Sequence, residues 1–129
     1  MRSARVVRFT ALILLALFAG CSNNTGPVAG IIDVRLSSPH SDDGAVLLSI
    51  SGGPVDSVDA AGHTLYSART SADTLKLIVV GSLGSGPIAR IHIPDNRHAF
   101  RYVARIGQVA ARGTYEQRNP TGYRVALVH

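Results

Sequence analysis

The chain has 129 residues, a formal net charge of +5 and a single cysteine. This length is typical of one domain, and one cysteine excludes a disulfide within the chain. Three of the thirteen basic residues lie within the first eight positions, so the chain from residue 21 onward carries a net charge of only +2. So small a charge argues against a nucleic-acid-binding protein.

The first twenty residues have the pattern of a secretory leader. Arg2, Arg5 and Arg8 precede an apolar run from Phe9 to Ala19, and small residues follow it. A charged start, a short apolar stretch and a small-residue cleavage site are typical of a signal peptide. The run has eleven residues, whereas a membrane-spanning helix needs about twenty. We therefore expect residues 1–20 to be cleaved.

The end of this leader carries the only cysteine. The sequence LFAGC at 17–21 resembles the lipobox of bacterial lipoproteins, although an aliphatic residue is more common in that family at the position of Phe18. The resemblance implies transfer of a diacylglycerol to the Cys21 thiol, the best nucleophile nearby. It also implies cleavage between Gly20 and Cys21 and acylation of the new amine. Stable anchoring requires more than one acyl chain. The alternative is an ordinary signal peptide followed by an unrelated cysteine.

Residues 21–30 are expected to connect this anchor to the domain. Ser22–Gly30 is small, polar and interrupted by glycine and proline, which is typical of a flexible tether spanning about 15–18 Å. In many lipoproteins an aspartate after the cysteine retains the protein in the inner membrane. By that analogy Ser22 indicates the outer membrane, with the side of the membrane left open.

Residues 31–129 alternate between apolar and polar positions in short segments, which predicts strands. The clearest segments are Ile31–Ser37, Ala45–Ser51, Val55–Ala60, His63–Ala68, Thr74–Val80, Pro87–Ile93 and Tyr123–Val128. The first two are predicted to pair as a hairpin. The fifth is apolar on both faces at its end, which favours a central strand with Leu77 buried.

Three segments are harder to interpret. Residues 99–111 fit a strand with Phe100, Tyr102, Ala104 and Ile106 on one face, and a short helix is the alternative. In the strand interpretation Gly107 is predicted to be a bulge where the buried face switches. Residues 113–117 are predicted to be a short strand around Tyr115, and residues 81–86 a flexible loop.

Eight or nine short strands separated by Gly, Pro, Asn and Asp turns predict an all-β fold, a single antiparallel β-sandwich over residues 31–129. The succession of strand and loop segments at residues 74–80, 81–86, 88–93 and 113–127 resembles that of cohesins and carbohydrate-binding modules. That resemblance implies a sandwich that binds a ligand, and it identifies no binding residue.

The polar residues do not form a recognisable catalytic or metal-binding motif. Asp42 and Asp43 are interpreted as solvated acids of a hairpin turn, because calcium needs six to eight oxygen ligands. The five histidines are scattered, and we expect each to lie on the surface: His40, His63, His92, His98 and His129. No serine lies in a nucleophile-elbow sequence. We therefore expect no enzyme activity, no metal and no cofactor.

Two sets of residues have alternative interpretations. Seven arginines of the second half form either a face that contacts anionic lipids or solvent-facing positions beside acids of neighbouring strands: Arg90, Arg97, Arg101, Arg105, Arg112, Arg118 and Arg124. Four tyrosines either stack on sugars, if two are exposed together, or lie in the core or at an edge with the hydroxyl in water: Tyr66, Tyr102, Tyr115 and Tyr123.

The sequence thus predicts a lipid-anchored, non-catalytic protein of the bacterial cell envelope. Its expected role is to bind a protein partner or to support the envelope. The alternative is a carbohydrate-binding module at the cell surface.

Overall fold

The structure, a computed structural model, describes residues 26–129, which form nine strands and one 3₁₀ helix. The strands are β1 Gly30–Ser37, β2 Asp43–Ser51, β3 Ser57–Ala60, β4 Thr64–Ser71, β5 Thr74–Leu83, β6 Gly86–Ile93, β7 Val103–Ala111, β8 Gln117–Arg118 and β9 Arg124–Val128. The 3₁₀ helix is Asn96–Arg101. The leader, Gly20, Cys21 and the tether up to residue 25 lie outside the described residues.

The strands form two antiparallel sheets that pack face to face, so the predicted β-sandwich is confirmed. One sheet has four strands in the order β3-β6-β1-β9, and the other has five in the order β4-β5-β2-β7-β8. Sequential strands often lie in different sheets. The first and last strands, β1 and β9, pair with each other.

The core lies between the two sheets and is built from alternate residues of each long strand. Ile32 and Ile91 are fully buried in the four-stranded sheet, and Leu48, Leu77 and Val79 are buried in the five-stranded sheet. The period-two pattern of the sequence therefore identified the inner face correctly. Leu77 has no exposed surface, as predicted, and β5 is an interior strand between β4 and β2.

The predicted hairpin between the first two strands is wrong. β1 pairs with β6 and β9, whereas β2 pairs with β5 and β7 in the other sheet. Each strand has one apolar face, and the facing sheet buries that face whichever strand lies beside it and whichever of the two sheets it joins. Alternation therefore specifies the buried face of a strand and not its partner.

Residues 99–111 divide into two elements. Asp95 caps the 3₁₀ helix by accepting a hydrogen bond from the backbone N–H of Arg97 at 3.0 Å, and Phe100 points to solvent. β7 then begins at Val103. The helix and strand interpretations each apply to part of the segment, and the predicted inward position of Phe100 is wrong.

Three further predictions concern Gly107, residues 113–117 and residues 81–86. The pairing of β2 with β7 shifts at Gly107, where Leu47 pairs with Gln108 and Leu48 with Ile106, so the predicted bulge is confirmed. The strand predicted at 113–117 is wrong, because residues 113–116 form a turn and only Gln117 belongs to a strand, the two-residue β8. The loop predicted at 81–86 is mostly strand, since β5 extends to Leu83.

Candidate binding surface

The outer face of the five-stranded sheet carries large apolar side chains that the rest of the described chain does not cover. Tyr66 pairs with Ile78, Ile78 with Leu47, and Leu47 with Gln108, so these residues form one row across β4, β5, β2 and β7. Tyr66 is 62% exposed and Ile78 is 42% exposed. A monomeric domain has no need for this apolar row at its surface.

A depression of about 300 Å³ lies beside this row. Its lining includes Leu47, Ile78, Gln108, Tyr115 and Gln117, and we call it the trough. The volume is at the lower end of the range for small-ligand sites. Its lining combines apolar side chains, one aromatic ring and two glutamine amides, and the amides supply both hydrogen-bond donors and acceptors.

Tyr115 owes its place in the trough to an unusual backbone conformation. Its φ is +56°, and it is the only described residue other than glycine with a positive φ. The turn is held by the N–H of Tyr115, which donates to the carbonyl of Ala111 at 3.1 Å, and by the N–H of Ala111, which donates to the carbonyl of Glu116 at 2.9 Å. The left-handed conformation costs a bulky residue roughly 1–2 kcal/mol, yet the ring is 66% exposed. Strain of this kind is common at functional sites.

The charged side chains on this face are cations. Lys76 and Arg105 both pair with Ser49, one on β5 and the other on β7, so their Cα atoms lie roughly 10 Å apart, two strand spacings. Among the described residues neither side chain forms an ion pair. The outward-facing positions of β4, β5, β2 and β7 carry no carboxylate.

The outer face of the four-stranded sheet is different, because it carries the carboxylates of Asp33 and Asp59 beside its cations. Arg90 lies in register between Asp33 and Asp59, and its Nε donates to Asp33 at 2.9 Å. This is the arrangement predicted for arginines beside acids of neighbouring strands. On the same face His92 lies 2.6 Å from Asp59 and pairs in register with Ser57. No hydrogen bond joins Ser57 to His92, and the pair lies on an open sheet surface, so these three residues do not form a catalytic triad.

Asp43 corrects the interpretation of the first acidic pair. It has no exposed surface, whereas both acids were expected to be solvated. The Tyr123 hydroxyl donates to Asp43 Oδ1 at 2.7 Å, the Arg118 guanidinium donates to the same oxygen at 2.7 Å, and the Ser38 hydroxyl donates to Oδ2. Arg118 also contacts the exposed Asp42 at 2.8 Å.

These contacts set the charge of the buried cluster. Burial acts to raise the pKa of Asp43, but the hydrogen bonds from Ser38, Tyr123 and Arg118 outweigh it and hold the pKa below its ordinary value. Burial, together with the hydrogen bond to Asp43, raises the pKa of Tyr123. All partners of the carboxylate are already engaged, so the cluster joins the β1–β2 connection to β8 and β9 and leaves no group free to act on a ligand.

The remaining tyrosines and histidines have structural contacts. Tyr102 and Tyr123 are buried with their hydroxyls bonded inside the protein, Tyr102 to the carbonyl of Pro54 at 2.6 Å, so the expectation of hydroxyls in water is wrong for both. His98 lies 3.6 Å from Asp95. The hydrogen bond from Arg97 lowers the pKa of Asp95 to about 2. Within residues 26–129 no three potential metal ligands converge.

Sequence reasoning named Tyr66 and Tyr115 as possible sugar-stacking residues and could not place them on one face of the sheet. Their positions on this face depend on the order of strands in the sheet and on the turn at Tyr115, and neither has a local sequence signal. Lys76 and Arg105 were not singled out as a pair for the same reason. The predicted lipidation site, Cys21, lies outside the described residues.

Comparison with known proteins gives no relative. No family model, no curated protein and no solved structure matches this chain. In the part of the chain that the structure describes, no helix has the length and hydropathy needed to cross a membrane.

Proposed function

We propose that this protein is a lipid-anchored, non-catalytic binding module of the bacterial cell envelope, and that it binds through the outer face of the five-stranded sheet. The observation that carries the proposal is the exposed apolar row and trough bounded by Tyr66 and Tyr115. The anchor rests on the lipobox ending at Cys21.

The contacts and exposure of the polar groups support the proposal that the protein is not catalytic. Asp43, the buried carboxylate, already accepts hydrogen bonds from three side chains. The His92–Asp59 pair lies on an open surface with Asp59 60% exposed. General acid–base and nucleophilic catalysis need such groups beside a substrate pocket, and the trough is lined by neither.

The anchor is tested by metabolic labelling. Cells that make the full-length chain are grown with labelled palmitate, and the label is expected in the wild-type protein and absent from Cys21→Ala. A Cys21→Ala protein that is labelled as strongly as wild type overturns the anchor.

The binding surface is tested with envelope fragments from the producing cell. The full-length protein in detergent micelles is expected to be retained on the fragments, and Tyr66→Thr with Tyr115→Asn is expected to reduce retention about tenfold or more. Phe100→Ser, which removes an aromatic ring that is 71% exposed on the 3₁₀ helix, is the matched control. Equal retention of the double variant and the wild type contradicts the proposed surface.

A second candidate is recognition of a protein partner by strand addition to β4. This edge strand has eight residues, no proline and one free side, whereas the edge strands β3 and β8 have only four and two residues. A long open edge can pair with an extended peptide. Binding of this kind would protect the backbone amides of Thr64–Ser71 from hydrogen exchange and would not depend on Tyr115.

A further inference from the structure

We propose that the outer face of the five-stranded sheet binds an acidic polysaccharide of the uronic acid type. In this proposal Tyr66 and Tyr115 pack against the apolar faces of sugar rings, and Lys76 and Arg105 pair with the sugar carboxylates. The inference rests on the proposed function, because it assigns a ligand to the same surface.

The aromatic residues fit a polymer of sugars. A pyranose ring has C–H-rich faces, which pack on aromatic rings, and a rim of hydroxyls, which need hydrogen-bond partners. Tyr66 and Tyr115 offer exposed rings, and Gln108 and Gln117 line the trough beside Tyr115 with amide groups. An apolar surface with a few oriented polar groups is the usual composition of a ligand site.

The charges fit an anionic ligand. Lys76 and Arg105 flank the small side chain of Ser49, which leaves room for a carboxylate between the two cations. Neither cation is neutralised by an acid among residues 26–129, and no outward-facing acid on these strands would repel an anion. On the opposite face of the sandwich, by contrast, Arg90 is already paired with Asp33.

The shape of the face favours a polysaccharide over a lipid surface. Insertion into a bilayer requires apolar side chains that project outward together. Here Leu47 and Ile78 line a depression together with Tyr115 and the amide groups of Gln108 and Gln117. A narrow chain can lie in this trough, whereas a bilayer would contact mainly its rim.

The test measures binding of the full-length protein in micelles to polygalacturonate and to alginate, with methyl-esterified polygalacturonate as the neutral match. We expect the acidic polymers to bind, the neutral ester to bind about tenfold more weakly, and added salt to weaken binding. Lys76→Gln and Arg105→Gln are each expected to weaken binding about threefold to fivefold. Tyr115→Asn is expected to weaken it about fivefold to tenfold.

Matched controls and a second readout separate binding from folding. Arg35→Gln removes an exposed cation from β1, in the other sheet, and is expected to bind like wild type, as is Phe100→Ser. Asparagine tolerates the left-handed conformation better than tyrosine, so Tyr115→Asn is expected to have a urea midpoint equal to or above that of the wild type. Lys76 is the only lysine of the chain, and acidic polymer is expected to protect it from acetylation.

The outcomes also separate this inference from the proposed function. Equal binding of acidic and neutral polymers, or binding only to phosphatidylglycerol vesicles, overturns the proposal that the ligand is an acidic polysaccharide. In either case retention of the tyrosine variants on envelope fragments still tests whether this surface binds a ligand. Failure of both acidic polymers to bind or to protect Lys76 also overturns it. The proposed surface itself fails if envelope fragments retain the double tyrosine variant as well as the wild type.

Discussion

Asp43 links separate parts of the chain through buried hydrogen bonds, in a domain that has no internal disulfide. Its carboxylate joins Ser38, Arg118 and Tyr123, which come from three separate parts of the chain. We expect Asp43→Asn to lower the free energy of unfolding by about 3 kcal/mol, because Arg118 loses its buried partner. Asp42→Asn, which removes the exposed partner of Arg118, is the control and should cost less than about 1 kcal/mol. Urea unfolding measures both, and equal effects would contradict this role for Asp43.

The same residue predicts how stability changes with pH. The pKa of Asp43 is lower in the folded protein than its ordinary value of 3.8, so folding favours the ionised form. This contribution is complete above pH 3.8 and is lost as the pH falls through the lower folded value. Between pH 5 and pH 2.5 the wild type should therefore lose more stability than Asp43→Asn. Parallel stability curves for the two proteins would show that Asp43 is not responsible.

Leu77 tests the packing between the sheets. It has no exposed surface and lies on an interior strand, so Leu77→Ala should leave a cavity and cost about 2–5 kcal/mol. Its neighbour Ile78 points to the outer face, and Ile78→Ala should cost less than about 1 kcal/mol. The two variants remove similar side chains from opposite faces of β5. Similar urea midpoints would show that the register of β5 is wrong.

At the scale of elements, Gly52 allows the connection after β2 to approach the 3₁₀ helix. Its φ is +112°, and a Cβ there would lie 2.0 Å from the carbonyl oxygen of Arg101. Gly52→Ala should cost about 3 kcal/mol or more, from backbone strain and the clash together. Gly62 has a φ of +79° with nothing within 4 Å, so Gly62→Ala should cost only about 1 kcal/mol. Equal thermal stability of the two variants would exclude the close approach.

The elements also show how far the sequence determines the fold. Alternation located the long strands and their buried faces, because burying one side of a sheet selects every second residue. It could not assign β1 and β2 to different sheets, since either pairing buries the same residues. The buried Asp43 was missed because two of its partners, Arg118 and Tyr123, are distant in sequence. Tyr115 was missed as a turn residue, because left-handed backbone is usually marked by glycine or asparagine.

At the scale of the whole molecule, the last strand completes the sandwich. β9 pairs with β1 along Asp33–Ser37, and Tyr123 just before it bonds to the buried Asp43. Val125 and Leu127 pack against the core. A chain that ends at residue 122 loses the edge of the four-stranded sheet and a partner of Asp43 together.

We therefore expect the chain that ends at residue 122 to show no cooperative unfolding transition in urea. Circular dichroism and tyrosine fluorescence provide two independent probes, and in the full-length protein they should give coincident transitions. A chain that ends at Val128 is the control, because it keeps every paired residue of β9 and should unfold like the full-length protein. The shorter chain keeps the strands β3, β6 and β1, and β1 still has β6 as its partner. A cooperative transition at the full-length midpoint would mean that these three strands suffice for a stable sheet and that β9 only covers its edge.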